Sequence, residues 1–270
     1  MPASMTQDEF LIFDDLELVK LDKPHHLFPA LNNLSTYMNG RNVRAGTQRA
    51  TALQLLDLPE KIRNDPLYQR ASRFAEGKSL MHEHHRMNIY LILRYFDFDD
   101  LPQGHIAEFG VYRGGNALFM AELCRELHPE THIYAFDTFE GMPETNVTSN
   151  LDGQHTNDFW NAQYDELQSI IDENRMTNLH LIKGRFEDTA HDILPIIGSL
   201  RMSCIDPDLY ESVKYSYDVS LPYMVDEGYW VFSGPLFSTC LGAMTAVEEC
   251  VIRRDNRHAE QAYPHLVYRK

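Results

Sequence analysis

Two carboxylates and a cluster of glycines carry the first chemical signal. The stretch "IAEFGVYRGGNALFMAEL", Ile106 to Leu123, runs through apolar residues to Glu108. It turns through Gly110, Tyr112, Arg113, Gly114 and Gly115, then resumes as an apolar run with helical spacing. A strand that breaks into glycines and restarts as a helix brings backbone close to a ligand. A dinucleotide turn would read G-x-G-x-x-G with an acid about twenty residues on. This turn reads E-x-G-x-x-R-G-G, and its glycine spacing does not suit a pyrophosphate. Glu108, at the strand's end, would repel phosphate and attract an ammonium or sulfonium group. The next strand, "HIYAFD", ends in Asp137, placed to accept the hydroxyls of a ribose. An acid at each of two strand ends, with glycines between, fits S-adenosylmethionine, a cationic amino acid joined to adenosine without phosphates. Other nucleotides, or a tight turn that holds no ligand, are the alternatives.

The remaining reactive side chains are less organised. In "HEHH", His82 and His85 share one helix face while His84 points away. The pair could act as a base or begin a metal site, but no third ligand is evident; ordinary surface histidines are the plainer reading. Cys124, Cys204, Cys240 and Cys250 show no C-x-x-C spacing and read as reduced core residues. The "NVT" at Asn146 matches a glycosylation sequon without consequence for a cytoplasmic chain.

These residues need elements to hold them. From about residue 77 strands alternate with helices. "HIAEFGV" precedes a helix from Asn116 to Leu127, and "HIYAFD" precedes a polar insertion and a helix from about Phe159 to Asn174. "LHLIKG" and "LRMSCID" are further strands, the second followed by a helix from Tyr210 to Met224. "GYWVFSG" leads to a helix from Gly242 to Arg254, and "AEQAY" with "HLVYRK" suggests a closing antiparallel pair. Alternating units of this kind predict an α/β fold with a mostly parallel, doubly wound sheet. Ligands then sit beyond the carboxyl ends of the strands. Residues 1–76 lack this rhythm and read as an N-terminal, mostly helical arm, with helices over Thr47–Leu56 and Pro66–Glu76; residues 77–270 form the main domain.

With 270 residues the chain can build one large core. A net charge of −16 argues against nucleic acid and against an anionic membrane surface. No run of about 18 apolar residues predicts a membrane span, and the start lacks the basic and apolar regions of a signal peptide. A cytoplasmic location is expected.

Four motifs, "EFGVYRGG", "FDTFEGMP", "LIKGRFEDT" and "IDPDLYESV", occur in order. Together with the closing "LVYRK" they resemble the macrocin O-methyltransferase (TylF-type) family of S-adenosylmethionine-dependent enzymes. The resemblance covers roughly residues 77–270. It implies a Rossmann-like class I methyltransferase fold and methyl transfer to a hydroxyl, typically of a sugar on a natural product. By position it places Glu108 and Gly110 at the methionine end, Tyr112 to Gly115 in the turn, and Asp137, Thr138 and Phe139 at the ribose. Gly184, Arg185, Phe186 and Glu187 fall where adenine should lie. Asp206 falls where methyl group and acceptor should meet, and leads the candidates for catalytic base ahead of His82 and His85, with Tyr210 and His155 behind them.

The chain departs from the family at one point. Members usually read "DGDLYES" after the fourth strand and "DDY" after the fifth, and three of those aspartates resemble a magnesium site. Here Asp206 and Asp208 remain, but Ser233, Gly234 and Pro235 stand where "DDY" belongs. Magnesium is therefore not expected. Two other function classes compete with methyl transfer: a degenerate binding protein that holds cofactor or substrate, and a nicotinamide-dependent oxidoreductase, which the missing phosphate turn disfavours. The expected partners are a small glycosylated or hydroxylated acceptor and a second copy of the chain, because Phe10 to Phe13 are more apolar than a small arm can bury alone.

Overall fold

The computed structural model describes residues 58–95, 101–142, 152, 163–237 and 239–270, with the backbone of the pairs 37–38 and 41–42. The helix expected over Thr47–Leu56, the apolar Phe10–Phe13, the sequon at Asn146 and His155 lie outside the described residues. The chain divides into two units, Met1–Asn64 and Asp65–Lys270. In the first, β1 (Tyr37–Met38) and β2 (Arg41–Asn42) form a short antiparallel pair, and α1 spans Leu58–Asn64.

The second unit opens with α2 (Pro66–Ala75). The Asp65 carboxylate accepts from the N–H groups of Leu67 and Tyr68, and Pro66 takes the first helical position, where no N–H is needed. α2 belongs with the larger unit because it packs on α4 (Gly115–Leu127). Tyr68 meets Phe119 edge-on at 5.7 Å, and Arg70 pairs with Glu122 at 2.6 Å. The structural division therefore falls before this helix, whereas the sequence division at 76 falls after it. α3 (Glu83–Tyr95) also packs against α4.

The sheet contains β3 (His105–Phe109), β4 (Ile133–Asp137), β5 (Leu179–Lys183), β6 (Leu200–Ile205), β7 (Met224–Phe232) and β8 (Leu266–Arg269). Its order is β5-β4-β3-β6-β7-β8; every neighbouring pair is parallel except β7 with β8. The first two crossovers step from β3 towards β5, and the next returns to β6 on the other side of β3. Right-handed crossovers running in opposite directions place their helices on opposite faces. Between them run α5 (Tyr164–Glu173), α6 (Phe186–Ile197), α7 (Tyr210–Ser220) and α8 (Leu241–Ala246), the last continuing as π-helix over Val247–Arg254.

Alternation along β3 sorts its side chains. Ala107 and Phe109 enter the core that α6, α7 and α8 help to build, with Phe136, Trp230 and Phe232. Glu108 points to the other face, where Asn116 of α4 meets it. The strand order reverses between β3 and β6, and an α/β sheet opens a crevice there, at the carboxyl ends of its strands.

Two expectations shift at the carboxyl-terminal half. α7 ends at Ser220, and β7 already begins at Met224. Pro222 has no N–H to donate and a ring that crowds the preceding turn, so the helix cannot continue to Met224. The closing strand β8 pairs with β7, while "AEQAY" supplies one isolated bridge, Gln261 to Val267, and no strand. Among the described residues no helix is long and apolar enough to cross a membrane.

Candidate active site

A cavity of about 300 Å³ lies at the carboxyl ends of the strands, at the lower end of the roughly 300–1,000 Å³ of small-molecule sites. Successive strand ends wall it: Glu108 within β3 and Gly110 to Tyr112 after it, Asp137 at the end of β4 with Thr138, Arg185 to Glu187 after β5, and Asp206 to Asp208 after β6.

Close approach of backbones shapes this floor. Gly110 has φ +86°, and a Cβ there would lie 2.6 Å from the Asp206 carbonyl oxygen. Only glycine lets the ends of β3 and β6 come so near. Tyr112, Phe139 and Asp208 also take left-handed backbone, with φ of 55°, 54° and 62°. Such residues each cost about 1–3 kcal/mol and cluster at functional sites. Here they follow β3, β4 and β6.

Glu108 is 1% exposed. Its Oε1 accepts from Asn116 Nδ2 at 2.8 Å, while Oε2 is buried without a partner among the described residues. Burial pushes its pKa up to about 8; the Asn116 bond opposes that rise and the Asp137 charge adds to it. A carboxyl that burial keeps protonated in the empty site, with one oxygen unsatisfied, ionises when a cation binds beside it.

Asp137 is more heavily engaged than its sequence position suggests. Oδ2 accepts from Val111 N at 2.7 Å and Tyr112 N at 2.9 Å, and Oδ1 accepts from Phe139 N at 2.8 Å. A carboxylate offers about four acceptor positions. About one therefore remains for a ligand, so Asp137 organises two loops as well as facing the cavity.

Asp206, Asp208 and Glu108 gather acidic charge on one wall. Burial, then Asp208, then Glu108 hold Asp206 well above the usual carboxylate range, opposed by a backbone hydrogen bond from Gly234. Asp208 Oδ1 accepts from the Cys240 thiol at 3.2 Å. Burial, with the Asp208 charge behind it, pushes that thiol up to about 12, so it stays protonated.

The positions that would complete a family-type magnesium site do not fit the ion. Ser233 is 2% exposed, and Gly234 opens a short 3-10 turn with Pro235. A side chain at 234 would begin 2.7 Å from Asp208 Oδ1, so the Asp208 carboxylate already fills that space. Neither residue offers a carboxylate, whereas magnesium gives up its water only to several hard anionic oxygens. Among the described residues no group of three or more His, Cys, Asp or Glu is arranged to hold a metal.

Of the residues expected from the sequence, Glu108, Gly110, Tyr112, Gly115, Asp137, Thr138, Arg185, Phe186, Glu187 and Asp206 line the cavity. Arg113 and Gly114 lie in the turn behind it; Gly114 holds φ +81° and precedes α4. Phe139 is buried edge-on to Tyr164, and Gly184 links β5 to α6. His82 and His85 are not on the wall. His85 stacks on Phe237, which is, and meets His265 edge-on at 4.7 Å. Burial, then His82, lowers its pKa to about 4. Tyr210 donates to Glu249 on the π-helix instead of facing the cavity.

Sequence reasoning missed two parts of the wall, Lys78 to Met81 and the Phe237, Thr239, Cys240 segment. The first is held by the glycine turn: Gly115 N donates to Lys78 O, and a Cβ on Gly115 would meet Ser79 Cβ at 2.6 Å. No local motif marks either. Asn116 was missed too, although a polar side chain one residue into a helix that begins at a glycine turn is a readable signal.

The family model described as macrocin-O-methyltransferase (TylF) matches residues 78–255. A curated 8-demethyl-8-(2,3-dimethoxy-alpha-L-rhamnosyl)-tetracenomycin-C 4'-O-methyltransferase from Streptomyces olivaceus is 26% identical over 155 residues, 54% of this chain. The match spans only 58% of that relative's length. Among solved structures, the O-methyltransferase NovP superposes with a TM-score of 0.62 at 18% identity, over 83% of this chain and 99% of its own. CalS11, a calicheamicin methyltransferase, gives 0.58 at 22%, over 87% and 99%. At those identities the two structures establish a shared fold.

Proposed function

The chain belongs to the macrocin-O-methyltransferase (TylF) family, and on that premise we propose that it moves a methyl group from S-adenosylmethionine to a hydroxyl of a small natural product or its sugar. Glu108 carries the reading: a buried carboxylate with one oxygen unsatisfied, on the wall of a strand-end cavity. When bound, S-adenosylmethionine supplies an electrophilic methyl on a positively charged sulfur. In this reading Glu108 answers the ammonium of its amino-acid portion, and the first N–H groups of α4 suit the carboxylate beside it. The free acceptor position of Asp137 serves the ribose with Thr138. Arg185, Phe186 and Glu187 border the adenine. Gly110, Tyr112 and Gly115 let the backbone come close.

Asp206 takes the proton of the acceptor hydroxyl. Its raised pKa makes it a stronger base once ionised, and a neighbouring positive charge favours the ionised form. Magnesium plays no part in this reading, because neither Ser233 nor Gly234 brings a carboxylate for it. Alignment of acceptor and methyl group supplies much of the remaining acceleration. A glycosylated acceptor is favoured by the rhamnosyl substrate in the name of the curated relative. A cytoplasmic setting, which suits four free buried cysteines, and a homodimer using residues 1–76 belong to the same proposal; sedimentation as a monomer at micromolar concentration would refute the dimer.

A second reading rests on the same substitution at 233 and 234: a binding protein of methyltransferase fold that no longer transfers. Incubation with methyl-labelled cofactor and a panel of glycosides separates the two. Label appearing in a glycoside supports transfer, and cofactor binding without product on any glycoside supports the binding protein.

A further inference from the structure

We infer that Asn116 is a recognition residue for the α-ammonium group of the cofactor, acting together with Glu108. The inference rests on the cofactor reading above. Asn116 stands one residue into α4 and is 4% exposed. Its Nδ2 donates to Glu108 Oε1 at 2.8 Å. Its Oδ1 and Glu108 Oε2 are both buried without a partner among the described residues, and both residues line the cavity.

The shared bond fixes the two groups. Beside a bound cation Glu108 ionises and only accepts, so the amide then turns its nitrogen towards Glu108 and its oxygen away. Two unpaired acceptors on adjoining side chains result. Buried acceptors are ordinarily bonded, so the pair calls for a ligand rich in donors. A primary ammonium brings three donors and no lone pair. A carboxylate or phosphate brings acceptors alone, and a hydroxyl brings a single donor. The charge on Glu108 then selects the cation over a neutral amine. Asn116 thus has two tasks, accepting one ammonium N–H and holding the carboxylate that accepts another.

The test is calorimetry on the full-length wild type, Asn116→Ala and Asn116→Ser, each with S-adenosylhomocysteine and with its analogue lacking the α-amino group. Asn116→Ala is expected to bind S-adenosylhomocysteine about tenfold more weakly, the size of one charge-assisted bond, and to bind the analogue as the wild type does. Asn116→Ser, which keeps a short acceptor, should fall between. Equal weakening towards both ligands, or none towards S-adenosylhomocysteine, overturns the inference. Ligand-free melting curves show whether each variant is folded; should Asn116→Ala not fold, Asn116→Ser carries the same comparison. A wild type that binds both ligands alike removes the ammonium site and leaves the cofactor reading standing. A wild type that binds neither overturns both.

Discussion

The Asp137 carboxylate accepts from the Tyr112 backbone N–H at 2.9 Å, so the acid that ends β4 holds the turn that leaves β3. Tyr112 sits there in left-handed backbone, at φ 55°. The strain of the turn and the acid that offsets it belong to different strands.

Asp137→Ala should therefore do two things. Loss of bonds to Val111, Tyr112 and Phe139 should lower the melting temperature of the ligand-free protein, since each bond to a charged group contributes about 1.5–3 kcal/mol. It should also weaken S-adenosylhomocysteine binding tenfold or more. Calorimetry and a melting curve check both. A full loss of affinity with an unchanged melting temperature would mean that the three backbone bonds contribute nothing.

Glu108→Gln should separate stability from binding. Burial raises the Glu108 pKa from 4.5 to about 8. A carboxyl raised in this way favours the folded state fully below its unfolded pKa, and that advantage fades as pH climbs through the folded value. Above about pH 8 the buried charge costs on the order of several kcal/mol. Glutamine stays neutral throughout. The variant should melt like the wild type near pH 4, then above it by a margin that grows until about pH 8. Its affinity for the cationic cofactor should be low and nearly flat with pH, whereas wild-type affinity should rise towards pH 8. Parallel melting profiles for the two proteins would contradict this.

Much of this site was legible in the sequence because its signals are local. Glycines at 110, 114 and 115 mark a turn that no other residue makes, and strand alternation alone puts Glu108 opposite Ala107 and Phe109. The rest depends on contacts between distant segments. Nothing in "KSLM" reports that Gly115 will press against Ser79. Nothing in "FSTC" reports that Cys240 will donate to Asp208. The histidines show the converse. His85 is chemically apt, but α3 buries it against His265 and behind Phe237, and burial cannot be read from a helix with buried residues at every position from Met87 to Leu93. The shorter α7 was readable in principle from Pro222.

Asp206→Asn keeps the shape of the cavity and removes a base. Turnover should fall by about 10²–10⁴-fold, while S-adenosylhomocysteine binds within a few-fold of the wild type. Rates at saturating cofactor and calorimetry check the pair of effects. An unchanged rate would assign the proton to another group.

The most direct test of the account is the rate of methyl transfer to a glycoside acceptor in excess chelator, compared with the rate in added magnesium. The substitution of Ser233 and Gly234 for carboxylates, with Asp206 receiving the proton, predicts equal rates in the two conditions. Transfer abolished by the chelator and restored by magnesium would contradict it.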